Sequence, residues 1–121
     1  ALAETLRELC GGRKIYLLIG VSSDKSVEGI GESLGRLAVS ATCTTSRHPR
    51  ALDPLALAKR LAPSCSDVHV MSDAADAYTY LFNAVSPEDV IVVTGSLFLV
   101  GELRAALRSP KGGLRGAVAT A

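Results

Sequence analysis

The sequence predicts an α/β fold built on a mostly parallel sheet of about four to six strands with helices on both faces, and three observations predict it. Apolar or β-branched runs of strand length recur along the chain, a helical repeat follows each, and the connections between them are short. The strongest runs lack the alternation of a half-solvated strand, so each strand is expected to be covered on both sides.

Leu2, Leu6 and Leu9 fall on one face of an opening helix, which Gly11-Gly12 ends. Lys14-Ile15-Tyr16-Leu17-Leu18-Ile19 is the first strand, and Val27, Ile30, Leu34 and Leu37 mark a helix over 26–38 with Asp24 or Ser26 as its N-cap. A second strand, Val39 to Ser46, is rich in threonine and weaker in apolarity, which places it nearer an edge. Asp53 then caps a helix whose first position is Pro54; Leu55, Leu57, Ala58 and Leu61 carry it to Pro63. A third strand runs from Asp67 to Met71 and precedes a helix opened by Ser72-Asp73. After a turn at Pro87-Glu88-Asp89, the fourth strand Val90-Ile91-Val92-Val93-Thr94 is the most apolar and should be central. Leu97, Val100, Leu103, Ala106 and Leu107 form the last helix. The basic, glycine-containing tail 109–121 reads as loop, as a poorly ordered end, or as a final strand at 116–121.

Right-handed crossovers give a strand order 3-2-1-4. The first and fourth strands are then neighbours whose helices lie on opposite faces, and a ligand is expected at their C-terminal ends.

Composition narrows the function. One domain accounts for all 121 residues, and 48% hydrophobic content is enough for a core without staples. Thirteen basic and twelve acidic residues leave a net charge of +1, which argues against nucleic acid or an anionic membrane as partner. Arg104, Arg108, Lys111 and Arg115 read as a solvated basic helix end and tail, offset in sequence only by Glu102. Cys10, Cys43 and Cys65 are odd in number and lack zinc-ligand spacing, so neither a disulfide framework nor a metal site is expected. No run of about 18 apolar residues and no secretory leader pattern is present, so a soluble, cytoplasmic protein is expected. The chain opens without methionine inside a helical pattern, as a fragment would.

Three loops should converge at the C-terminal edge of the sheet: Gly20 to Lys25, Thr45 to Arg50, and Thr94-Gly95-Ser96. They carry Lys25, Arg47, His48 and Arg50 with hydroxyls from Ser22, Ser23, Ser46 and Ser96, so the ligand should be anionic. Gly95-Ser96 between a buried strand and a helix leaves N–H groups at a positive helix end, and Ser96 either binds an anion there or caps its own helix. Lys25 is a ligand group or a solvated loop lysine. Arg50, behind the stiff Pro49, either forks onto a carboxylate or pairs with Asp53. His48 has no serine or cysteine nucleophile tied to it by local motif. Gly29, Gly31 and Gly35 lie within a helix and so make no dinucleotide fingerprint, no Walker loop exists, and Gly20-Val21-Ser22 stands where a phospho-receiver needs paired acids.

Val93-Thr94-Gly95-Ser96-Leu97-Phe98-Leu99-Val100-Gly101-Glu102 resembles the end of folylpolyglutamate synthases and bifunctional dihydrofolate synthases of the Mur ligase superfamily. Gly20 to Lys25, with its Asp-Lys pair, and Pro49-Arg50-Ala51-Leu52 are similar to loops of the same family, and the likeness spans roughly 1–108. The resemblance implies a Rossmann-like C-terminal domain of a ligase that adds L-glutamate to folate or its glutamyl tail. In that reaction ATP phosphorylates the acceptor carboxylate, and the amine of glutamate attacks the acyl phosphate. It implies further that Lys25 is catalytic, lying by the amino acid and reactive phosphate, that Arg50, Ser96, Lys25 and His48 bind glutamate, and that Asp24 and Gly95 support them. ATP and Mg2+ are expected mainly on an N-terminal P-loop domain of the same parent chain, with no cofactor or metal held here. The family's P-loop, magnesium ligands and Asp-Gly-Ala-His-Asn-Pro segment are not in this chain, so it is expected to be inactive alone. Ser26 stands where relatives have an acid. The rival expectation is a stand-alone module that binds a small anionic metabolite.

Overall fold

The structure, a computed structural model, describes residues 4, 8, 11–23, 27–95, 97–107 and 117–118. Its elements are β1 (Ile15–Ile19), α1 (Val27–Ile30, continued by a π-helical turn Gly31–Gly35), β2 (Ser40–Thr45), α2 (Pro54–Leu61), β3 (Val68–Asp73), α3 (Ala74–Ala84), β4 (Val90–Thr94), α4 (Leu97–Leu107) and β5 (Ala117–Val118). All strand pairs are parallel and the order is β3-β2-β1-β4-β5, which contains the predicted 3-2-1-4. Glu4 and Glu8, one turn apart, are helical and exposed; the leucines of that predicted helix lie outside the described residues. So do the proposed caps Asp24 and Ser26 and all of the tail except Ala117–Val118, which takes the strand reading by pairing with β4.

The period-two rule sorts β1 between two cores. Ile15, Leu17 and Ile19 face α1 and α2, packing with Leu34, Val27, Leu57 and Leu61. Leu18 faces the other way and joins Ile91 and Val93 of β4 beneath Tyr78 and Leu81 of α3 and Leu99 and Leu103 of α4. The helices that follow β1 and β4 therefore cover opposite faces, as the strand order requires.

Several boundaries differ from the sequence reading for physical reasons. The first helix ends at Gly35 rather than 38, and its last five residues widen into the π-helical turn. A Cβ on Gly31 would sit 3.2 Å from Leu61 Cδ2 and 3.2 Å from Ser64 Cβ, and one on Gly35 3.2 Å from the Ser64 carbonyl oxygen. The bare stripe lets α1 lie close against the end of α2. Arg60 on α2 also forks onto exposed Glu28 at 2.7 and 2.9 Å, and this hydrogen bonding holds the Glu28 carboxyl below its usual range. β3 continues two residues past Met71, to Asp73.

The expectation for β2 is met only in that a single strand, β3, separates it from the edge. Five of its six residues are buried, so its low apolarity reflects small side chains in a tight interior rather than solvent contact. Thr44 stays satisfied there by donating from Oγ1 to the Ser72 carbonyl at 3.1 Å. The predicted cap of α2 is present, Asp53 accepting the Ala56 N–H at 3.2 Å with Pro54 at the first position.

Candidate functional site

Because every strand runs the same way, the loops after β1, β2 and β4 leave from one edge of the sheet. Two glycines bring their roots together. Gly20 donates its N–H to the Thr94 carbonyl at 3.3 Å, and a Cβ on it would lie 3.0 Å from the Thr44 carbonyl oxygen. Gly95 has φ +108°, and a Cβ there would fall 2.6 Å from the Gly20 oxygen and 2.7 Å from Val21 Cγ1. Only a residue without a side chain fits such a place.

The first two loops are also joined further out. Ser22 and Ala51 form an antiparallel bridge, with Ser23 N–H donating to the Arg50 carbonyl at 2.8 Å and Leu52 N–H to the Val21 carbonyl at 2.9 Å. Within the second loop, Ser46 Oγ accepts the His48 N–H at 3.3 Å, His48 Nδ1 accepts the Arg50 N–H at 3.1 Å, and the His48 carbonyl accepts the Ala51 N–H at 3.0 Å. These bonds fix the backbone around His48 and Arg50 as a compact turn. His48 is half-buried, whereas Arg50 is exposed.

Arg50 makes no ion pair with Asp53, which spends its carboxylate on the cap of α2. Among the described residues its guanidinium has no acidic partner and is open to a ligand. Lys25, Asp24 and Ser96 lie outside the described residues, so of the predicted site residues the structure positions Arg50, His48 and Gly95.

On the α3 and α4 side of this edge opens a cleft of about 300 Å³, lined among others by Thr45, Arg47, Asp73, Ala74, Glu102 and Leu103. Sequence reasoning named Arg47 as one of the edge cations but missed Asp73 and Glu102 as site groups. Asp73 reads from sequence as a helix opener, and it does cap α3 by accepting the Asp76 N–H at 2.9 Å. Glu102 accepts the Arg47 N–H at 2.6 Å. The one sequence signal for Glu102 is that it closes the long motif after β4. Among the described residues no group of three or more His, Cys, Asp or Glu side chains could hold a metal ion.

A family model described as Mur ligase, glutamate ligase domain, matches residues 1–97. No curated protein matches the chain significantly. Among solved structures, the Mycobacterium tuberculosis folylpolyglutamate synthase complexed with ADP and AMPPCP is similar at 32% identity and a TM-score of 0.80, over 89% of this chain and 26% of that one. The folylpolyglutamate synthase of Thermotoga maritima is similar at 28% identity and a TM-score of 0.77, over 93% and 25%. The bifunctional folylpolyglutamate synthase/dihydrofolate synthase of Yersinia pestis, complexed with AMPPNP and a Mn ion, shares the fold at 24% identity and a TM-score of 0.74, over 88% and 25%. The chain spans about a quarter of the length of each of these proteins.

Proposed function

Since the chain belongs to the Mur ligase glutamate ligase domain family, we propose that it is the C-terminal, glutamate-receiving domain of an ATP-dependent ligase that joins L-glutamate to folate or to its glutamyl tail. The nucleotide and its metal are assigned to an N-terminal P-loop domain of the same parent protein, which would activate the acceptor carboxylate as an acyl phosphate. This domain's task is to hold the amino acid so that its amine meets that carbonyl, and the chain alone is inactive. The parent works as a soluble cytoplasmic enzyme; among the described residues no helix is long and apolar enough to cross a membrane.

The observation that carries the reading is the bridge between Ser22 and Ala51, which joins the loop presenting the Arg50 guanidinium to the loop that runs on into Asp24 and Lys25. An arginine fork takes a carboxylate through two parallel hydrogen bonds, and it suits a carboxylate of glutamate. His48, whose ring fixes the Arg50 backbone, lies beside it in the same turn. Lys25 is assigned to the reacting end, where an ammonium stabilises charge developing on the acyl phosphate, with Asp24 orienting it. Ser96 supplies a supporting hydrogen bond at the start of α4.

The test uses the full-length protein that carries this chain, with folate, ATP and L-glutamate. Arg50→Ala is expected to raise the KM for glutamate about tenfold or more, roughly 1.4 kcal/mol of binding, without changing that for ATP. Lys25→Ala is expected to lower kcat. Turnover that is independent of glutamate, or unchanged in both variants, overturns the reading and leaves a module for a small anionic metabolite as the alternative.

A further inference from the structure

The loops at the C-terminal edge carry cations, which by themselves call for an anion. Folding adds carboxylates from two other elements. Asp73 ends β3, Glu102 sits midway along α4, and both line the same cleft as Arg47. Each carboxylate is held by one backbone N–H, Asp73 through Oδ2 and Glu102 through Oε1. Those bonds fix the two groups and, among the described residues, leave the second oxygen of each uncommitted. No ion pair joins Arg47 to either carboxylate, although all three border about 300 Å³ of open space.

Two fixed negative charges and one positive charge that do not neutralise one another select a ligand of both signs. A simple dicarboxylate would meet two repelling groups, and a bare metal ion would find two carboxylates beside a guanidinium. An α-amino acid matches the set, since its ammonium needs oxygen acceptors and its carboxylate needs a fork. We propose that this cleft takes the α-amino end of the incoming amino acid, the ammonium on the uncommitted oxygens of Glu102 and Asp73 and the α-carboxylate on Arg47. Thr45 and Leu103 form the walls, and Arg50, three residues beyond Arg47, is left for the side-chain carboxylate. The assignment rests on the ligase reading and adds to it the groups that distinguish an amino acid from any other small anion.

The test removes charge and keeps shape. Glu102→Gln retains an oxygen for the Arg47 N–H, and Asp73→Asn retains a good helix cap, so a merely structural role is preserved in both. In the full-length protein, each variant is expected to raise the KM for L-glutamate roughly tenfold. The inhibition constant of glutarate, which has both carboxylates and no amine, is expected not to rise in either variant and to fall as a repelling charge is removed. Glutarate that is too weak to measure in every protein supports the assignment equally, since the ammonium then dominates recognition. The assignment is overturned if both variants keep the wild-type KM, if glutarate binds as tightly as glutamate, or if its constant shifts in step with that of glutamate. Wild-type protein without glutamate-dependent turnover overturns the ligase reading itself, and this assignment with it.

Discussion

Glu102 Oε1 accepts the backbone N–H of Arg47 at 2.6 Å, tying the middle of α4 to the loop after β2 across 55 residues of sequence. A hydrogen bond to a charged acceptor contributes roughly 1.5–3 kcal/mol when dry, and a partly exposed one roughly 1 kcal/mol. Glu102→Ala is therefore expected to destabilise the fold by roughly 1 kcal/mol and to speed amide exchange at Arg47, whereas Glu102→Gln should do neither. Denaturant midpoints and hydrogen exchange read the two effects. Unaltered exchange at Arg47 in the alanine variant would show that the bond does not hold the loop.

Gly95 and Gly101 make a matched pair of opposites. At Gly95, φ +108° combines with a Cβ position 2.6 Å from the Gly20 oxygen, and that atom is backbone that cannot step aside. Gly95→Ala is expected to cost on the order of 3 kcal/mol. At Gly101, exposed in the middle of α4, nothing lies within 4 Å of an added Cβ. Gly101→Ala should stabilise by roughly 0.5–1 kcal/mol through helix propensity alone. Thermal unfolding of the two variants should shift in opposite directions.

The contrast between those glycines also marks what could be read from sequence. The strands and their order were legible because Ile15–Ile19 and Val90–Thr94 are apolar on both faces, and a parallel sheet with short crossovers admits few arrangements. The π-helical turn was not, since it depends on how closely Gly31 and Gly35 approach Ser64. The burial of β2 was not legible either, because threonines read as half-exposed until a partner such as the Ser72 carbonyl is in place. At the site, loop cations stand out in a sequence, whereas Asp73 looks like a cap and Glu102 like one polar residue in a helix. Only the tertiary fold puts them in one cleft.

Cys43 is wholly buried in β2, and burial first, then the nearby Cys65, pushes its thiol up to about 12. Thiolate is the reactive form, so native Cys43 should resist alkylation at pH 8, and denaturant should expose it. The linkage has a definite sign. A folded value above the unfolded one means the neutral thiol favours folding, fully below about pH 9 and progressively less as pH rises from there toward 12. Cys43→Ala should remove that part of the alkaline loss of stability. An alkaline limb identical in the variant and the parent would place its origin elsewhere.

Thr94 presents the opposite kind of buried group, a side chain whose polar atom gains nothing visible from its place. Its Oγ1 is inaccessible and has no hydrogen-bond partner among the described residues, while the Gly20 N–H is taken by the Thr94 carbonyl and not by its hydroxyl. An unsatisfied buried hydroxyl costs roughly 1–3 kcal/mol, and valine has nearly the same shape with a methyl in its place. Thr94→Val should therefore raise stability by roughly 1 kcal/mol and leave the β1–β4 pairing intact. A lower unfolding midpoint would show that the hydroxyl has a partner in solution. A higher midpoint joined to slower glutamate ligation would mean that the orphan is kept for the reaction, since a hydroxyl that only costs stability at the root of the β4–α4 turn has no structural reason to be there.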